Sequence, residues 1–593
     1  VAGWIFHPIL GQLGDHIVGD ADTDAVRGMW GLDHLRRSLL PLDTPIWSKE
    51  LNFPFGVLAL VLPFVSGLLA APVGLVFGPL AGFDLVMILL VAAAGFGTAV
   101  LVRIAGESWP AGLAAAGATM SPPMLLHAVC DGTPEHVAIW LVPLFLAAAV
   151  ALARRPSVPV GVLAGSLAVL VAFDSPYHGV YAALIGILVL PFELVRPWPP
   201  HRRKDLARAL GAAAVPVAVG GLVLGLLYRN FPIDEQIGLR SEQLWKMNAA
   251  DLHTWWQYDF GQRTVRDPSL APTAIPAGVL WAGLGLGLLG APRSLPWLAA
   301  GLGAVILSFG YNDRIPQELA QWLGSDGQEL GRTILRWNQD LYALPGIGSV
   351  RFPRRWLVPA TLCLSVAGGM GLARVFWLLS RPRLLRRPVT WGAPVVGLVL
   401  TVLAARAGVQ TARFHAPFPA HALPEVAFTD WVRDQPGSGA AVLLPQMRPA
   451  PASGKRGDLP VFASIADSLS SSDVQYLQVR MGRPLLSYPS LKTLVPMKVD
   501  TDLYRLLRNW DDIAHPQLTG RPIPSSAHDE RSEPFRQRVI DGVRQDGLRF
   551  VIVDEAAYAE EGMAILRAQL SSHLVSEEHF DDGTGVTVFE LRQ

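Results

Sequence analysis

Gly19-Asp20-Ala21-Asp22-Thr23-Asp24 sets three carboxylates within five residues, between a short apolar stub and the first long hydrophobic stretch. Charge close to lipid is costly, so an acidic cluster at the rim of a membrane domain is expected to bind, relay protons or catalyse. A solvated loop between helices would carry the same residue types. The rest of the chain decides between the two.

Of the 593 residues, 51% are hydrophobic and only 17% charged, against about 25% charged in soluble domains. Apolar runs recur near the ~20 residues that a bilayer demands. The composition is that of a polytopic membrane protein. A net charge of zero supplies no global field toward nucleic acid, and no nucleic-acid partner is expected. Cys130 and Cys363 are far apart and fit no zinc or redox spacing. The opening Val1-Ala2-Gly3-Trp4-Ile5-Phe6 is already apolar and lacks the charged start of a signal peptide. It reads as the outer end of a first helix that is expected to begin before this sequence.

Apolar runs predict helices near 82–102, 108–124, 136–153, 157–174, 177–195, 209–228, 272–290, 295–310, 356–379 and 389–407. Short loops rich in Lys and Arg stay on the cytoplasmic side. Arg103, Arg154-Arg155, Arg202-Arg203-Lys204, Arg293 and the run Arg381 to Arg387 all fall between these helices. Strict alternation then places residues 13–81, 125–135, 174–176, 229–271 and 311–355 outside. Residues 55–78 are apolar enough to span, but counting them would invert every later loop. Pro63 and Pro72 interrupt them, so they read as paired interfacial or re-entrant helices. With the first partial helix the count is eleven spans, N-terminus inside and C-terminus outside.

Beyond residue 410 charge rises and helix and strand signals alternate. Ala440 to Leu444, Phe550 to Val553 and Gly585 to Leu591 read as strands, 533–545 and 557–570 as helices. The expected fold is therefore mainly α. It joins a transmembrane helical bundle over 1–410, with a large first outer loop at 13–81, to a small exoplasmic α/β domain over 411–593.

Several motifs follow the acidic run in order: Trp30; Leu51-Asn52-Phe53-Pro54-Phe55-Gly56; Ser121-Pro122; Glu135-His136; Trp140-Leu141-Val142-Pro143-Leu144; Asp174-Ser175-Pro176-Tyr177; Leu344-Pro345-Gly346; and Arg351-Phe352-Pro353-Arg354. In this order the chain resembles the GT-C superfamily of integral-membrane glycosyltransferases. It is most similar to bacterial members with a Gly-Asp-x-Asp-type first loop and an exoplasmic α/β tail. The resemblance implies transfer of a sugar from a polyprenyl-phosphate donor to a glycan, lipid or protein acceptor, on the outer face of the bacterial cytoplasmic membrane.

That chemistry fits the residue types. Inverting transfer needs a base for the acceptor hydroxyl, and a carboxylate suits it. The departing lipid phosphate needs Arg, Lys or a divalent cation such as Mg or Mn. Asp22 and Asp20 are the catalytic candidates, with Asp22 favoured as base because it aligns better with the family's acidic pair. Asp24 is better placed to cap a helix starting near Ala25. Glu135 and His136, in the second outer loop, are candidates for substrate binding, and Asp20, Asp22 and Glu135 for holding metal. Glu135 would equally suit the positive end of a helix dipole. Arg351, Arg354 and Arg355 form a candidate phosphate clamp, and Lys49 and Arg27 are further candidates from the first loop. His127 and Asp131 are weaker versions of the second-loop idea. An Asx turn accounts for Asp174, and an interfacial aromatic belt for Trp255, Trp256 and Tyr258.

Two other functions would suit a chain of this build. A flippase for a lipid-linked saccharide should show internal repeats or charge deep within its spans; no clear repeat is present, and most acids sit at outer helix ends. A non-catalytic envelope assembly protein would not need the acidic first loop.

Overall fold

A computed structural model describes residues 2, 6–19, 25–39, 47–48, 57–58, 63–120, 123–130, 132–195, 200–228, 249–250, 277–290, 292–344, 346–348, 350, 352–380, 395, 399, 420–422, 426–444, 472–486, 506–507, 509–510, 513, 533–555, 558–581 and 585–592. The chain is mainly helical, with a small C-terminal sheet. It divides into two units, residues 1–20 with 61–421 and residues 21–60 with 422–593.

The first unit is a helical bundle. Several of its helices open on a serine followed by a proline in the first turn: Trp109–Thr119 after Ser108, Val158–Asp174 after Ser157 and Pro176–Leu194 after Ser175. Proline costs nothing there, because the first-turn N–H it lacks has no helical partner anyway. Small residues then set the approach of neighbouring helices. A Cβ at Gly161 or Gly165 would run into the backbone of Ala209 or Ala213 in the Pro200–Tyr228 helix, so a glycine spacing of four brings these two helices together.

Gly371 does the same between Leu357–Ser380 and Ala277–Leu289, where a Cβ would overlap the carbonyl of Leu286. Gly371→Val is therefore expected to cost at least 1–3 kcal/mol on the order of other overpacked cores. Its unfolding in detergent, followed by SDS titration against wild type, reads this directly. An unchanged midpoint would remove the contact from any structural role.

Five described helices are long and apolar enough to cross a membrane: Phe64–Ile104, Pro134–Arg154, Pro176–Leu194, Arg202–Leu226 and Pro353–Leu378. Val158–Asp174 and Leu295–Ser308 are apolar but shorter. Eleven such helices are thus not seen among the described residues. Predicted runs such as 108–124 and 272–290 form helices of only 11 and 13 residues, and 389–407 lies outside the described residues. Residues 55–78 also differ from expectation. Helix begins at Phe64 directly after Pro63 and runs through Pro72, and the break falls at Gly78, φ 88° and ψ 166°. Only glycine adopts that conformation without strain. Gly82 then lies against Gly74 and Ala70, whereas residues eight apart in a straight helix are ~12 Å apart. The chain doubles back, and limb 64–77 is too short to span.

Basic residues gather at one end of this bundle. Arg154 donates to both carboxylate oxygens of Glu193, at 2.8 and 2.9 Å, and to the carbonyl of Ile104. Arg202 reaches the carbonyl of Ala153, and Arg293 lies 3.9 Å from Glu107. Burial pushes the Glu107 carboxyl above its usual range, against the pull of Arg293 and Arg154. The described loops around Arg103, Arg154, Arg202 and Arg293 therefore share one end, and the run Arg381 to Arg387 lies outside the described residues.

In the second unit a five-stranded sheet has the order β2-β1-β3-β5-β4, from β1 (Ala440–Leu444), β2 (Leu485–Leu486), β3 (Leu548–Asp554), β4 (Leu574–Phe580) and β5 (Val586–Leu591). β1 runs parallel to β2 and β3, and β5 antiparallel to β3 and β4. β3 is buried along its length, with the apolar run Phe550 to Val553 at its centre and a strand on each edge. Its core includes Val442, Trp510, Ile540, Val551, Leu566 and Phe589, and Trp510 donates its indole N–H to Gln569 at 3.1 Å. The first-loop helix Ala25–Leu39 also belongs to this unit. It packs on Ser472–Met481, with Val26, Met29, Trp30, Leu32 and Leu35 buried.

Candidate functional site

The end of the bundle opposite the basic loops collects the residues with chemical potential. The turn Pro353–Trp356 precedes the Leu357–Ser380 helix and presents Arg354 and Arg355. The Arg355 guanidinium lies 4.1 Å from the Phe352 ring centre and 5.2 Å from that of Tyr177. Arg354 is 6.0 Å from Phe352. Stacking on aromatic faces fixes a guanidinium plane and leaves its N–H edge for an anion.

Tyr177 joins this cation to the second loop. Its ring centre is 5.7 Å from that of His136, and His136 Nε2 is 4.0 Å from Glu135 Oε1. Glu135 and His136 stand in the short helix Pro134–Val137, next to Thr133, whose hydroxyl bonds the Ala128 carbonyl at 3.1 Å. Glu135 in a first turn satisfies the helix-dipole reading and still lies within the cluster. The result is a half-buried string of Arg355, Tyr177, His136 and Glu135.

Two buried acids frame the same end. Asp174 closes the Val158–Asp174 helix and accepts from the Ser66 N–H at 2.9 Å and the Ser66 hydroxyl at 2.8 Å. The Asx turn expected there is replaced by a tie between Asp174 and the start of the Phe64–Ile104 helix. Asp84, fully buried, accepts the Val18 N–H at 2.9 Å. Val18 ends the short strand His16–Val18, and Gly19 follows at φ 126°, turning the chain into the acidic run. The geometry thus fixes where that run begins.

Asp20, Asp22, Asp24, Lys49, Arg351, Asp131, Trp255, Trp256 and Tyr258 lie outside the described residues. Arg27 and His127 stand in the helices Ala25–Leu39 and Pro123–Cys130, and their side chains are outside them too. The expected helix start at Ala25 agrees with the structure. Arg355, Glu135 and His136 do converge, and Arg354 adjoins Arg355 on the turn Pro353–Trp356. Sequence reading missed Tyr177 as the link between them, and Asp84. A single acid inside the apolar run 82–102 was the available signal for Asp84.

Among the described residues no three His, Cys, Asp or Glu come close enough to hold a metal ion.

Over its whole length the chain is similar to arabinofuranosyltransferase AftD from Mycobacteria. The TM-score is 0.50 at 16% identity, with 100% of this chain and 40% of that one covered. A mutant of the same enzyme gives 0.52 at 16%, covering 100% and 41%. The chain therefore shares the fold of the aligned part of that arabinofuranosyltransferase. It spans about 40% of the length of AftD. ArnT from Cupriavidus metallidurans, solved with undecaprenyl phosphate, aligns at a TM-score of 0.40 and 14% identity, covering 99% of this chain and 96% of that one. No family model and no curated protein matches the chain.

Proposed function

We propose that this chain is an inverting membrane glycosyltransferase of the GT-C superfamily. It takes a sugar from a polyprenyl-phosphate donor and passes it to a glycan, lipid or protein acceptor at the outer face of a bacterial cytoplasmic membrane. The eleven-span thread, with residues 411–593 exoplasmic, belongs to the same proposal. The observation that carries it is the string Arg355–Tyr177–His136–Glu135, set at the bundle end opposite the basic loops. The strand His16–Val18, held by Asp84, immediately precedes the acidic run in the sequence.

In this reading Asp22 takes the proton of the acceptor hydroxyl as its oxygen attacks the anomeric carbon. Asp20 orients that base. The bond from the sugar to the lipid phosphate breaks, and Arg355, with Arg354 and Arg351, meets the growing negative charge on the phosphate oxygens. Tyr177 and Phe352 hold the Arg355 plane for that contact. Glu135 and His136 bind the sugar hydroxyls. A divalent cation held by Asp20, Asp22 and Glu135 would add charge stabilisation at the phosphate.

The test is transfer in proteoliposomes from a radiolabelled polyprenyl-phosphate pentose or hexose to endogenous envelope acceptor. Arg355→Ala is expected to lower kcat by roughly 10²–10³-fold, as for loss of one donor to a developing oxyanion. Arg355→Lys keeps charge without the planar fork and should recover only part of it. Wild-type protein that moves labelled lipid across the bilayer without transferring sugar would replace this reading with the flippase.

A further inference from the structure

Between the apolar helix Leu295–Ser308 and the turn at Pro353 stands a segment expected to be an outer loop, which is instead a helical hairpin. Ile315–Tyr342 is helical except at Gly324, φ 63° and ψ −141°. There the chain reverses, and a Cβ at Gly327 or Gly331 would meet the backbone of Leu319 or Pro316. The second limb is bolted to the end of Leu295–Ser308. Asn338 donates to the carbonyls of Ile306 and Gly310 at 2.8 and 3.0 Å, and the Tyr342 hydroxyl to Leu307 at 3.0 Å. Leu302, about one turn below those carbonyls, is itself exposed. The hairpin therefore sits at the depth where an apolar helix leaves the bilayer.

Its surface does not suit water. Leu323 is 57% exposed, Leu330 44% and Trp337 53%, with Trp322 beside the turn at 56%. Leu330 and Trp337 are seven apart and share a helix face, flanking the buried side formed by Ile334 and Asn338. Arg332 and Gln339 occupy the opposite side of the limb. Four acids (Glu318, Asp326, Glu329, Asp340) against two arginines (Arg332, Arg336) leave the hairpin at −2. That excludes attraction to an anionic surface as its reason for exposing tryptophan, and leaves apolar contact.

We propose that the Ile315–Tyr342 hairpin is a membrane-surface anchor, its Leu330 and Trp337 side seated at the headgroup–acyl boundary of the leaflet on the candidate-site side. Continuity with the exposed apolar side of Leu295–Ser308, which carries Leu295 and Leu302, selects lipid as the occupant. The anchor stands independently of the reaction proposed above.

Spin labels test it in the full chain reconstituted in nanodiscs, in a Cys130→Ala background that keeps the buried Cys363. Labels go singly at Leu330→Cys and Trp337→Cys, with Arg332→Cys and Gln339→Cys as aqueous references and Leu302→Cys as the lipid reference. Labels on the apolar side should relax severalfold more with oxygen than with a water-soluble nickel chelate, and the aqueous references should do the reverse. Equal access of the chelate to Leu330→Cys and Arg332→Cys would overturn the proposal. So would protection of Leu330→Cys and Trp337→Cys from both reagents, because protein would then be covering that side.

Discussion

Asp22→Asn is expected to lower transfer by roughly 10²–10⁴-fold, the usual contribution of a positioned general base. An amide keeps the shape of the carboxyl but cannot take the acceptor proton, so the loss should fall on kcat and leave donor KM near wild type. Asp20→Asn, which only loosens the base's orientation, should cost less, roughly 10–100-fold, like the loss of other supporting contacts around a reactive group. The order of the two losses distinguishes base from orienting partner. If Asp22→Asn transfers sugar at the wild-type rate while Arg355→Ala does not, the phosphate clamp survives and the base lies elsewhere. Both substitutions fall just beyond Gly19, whose strand is held by Asp84. A polar exchange there should leave the bundle folded, so lost activity would report on chemistry.

Arg154→Met should have the largest effect on stability, about 3–5 kcal/mol, as when one partner of a buried ion pair is removed. Glu193 is only 5% exposed and would keep a carboxylate without its two guanidinium bonds. The Ile104 carbonyl would lose a donor in the same step. The double variant Arg154→Met/Glu193→Leu should regain most of the loss, because no uncompensated charge remains. Arg103→Ala, at an exposed position near the same end, should change little. SDS unfolding of the purified protein would read all three. A midpoint for Arg154→Met equal to that of Arg103→Ala would show that water already screens the pair.

Much of this molecule is legible where burial and period agree. Helix Glu533–Gln545 and strand Ala440–Leu444 fall on their expected residues, and Phe550 to Val553 is the buried centre of β3. The edge strand Leu574–Phe580 was not visible. Its Ser576, Glu577, Glu578 and His579 carry little apolar alternation, as suits an edge that must resist pairing with other chains. That the apolar stretch before 78 does not continue straight into the next helix was readable, but the place of its break was not. Helix tolerates Pro72, whereas reversal needed the positive φ of Gly78. The hairpin at 315–342 escaped notice because it is amphipathic rather than uniformly apolar, and a search for ~20-residue apolar runs passes over it. At the candidate site, residue types pointed to Glu135, His136, Arg354 and Arg355. The meeting of Glu135, His136 and Arg355 through Tyr177 depends on three helix starts coming together, which no local pattern encodes.

The helix Ala25–Leu39 is a piece of the sheet-bearing unit threaded through the chain's beginning. That unit is consequently not a detachable cassette. A fragment started at residue 411 would be short of one of its own helices, and a chain stopped there would leave Trp30, Leu32 and Leu35 without the surface they were selected to cover. Chimeras that exchange the tail between proteins of this fold must exchange residues 21–60 with it.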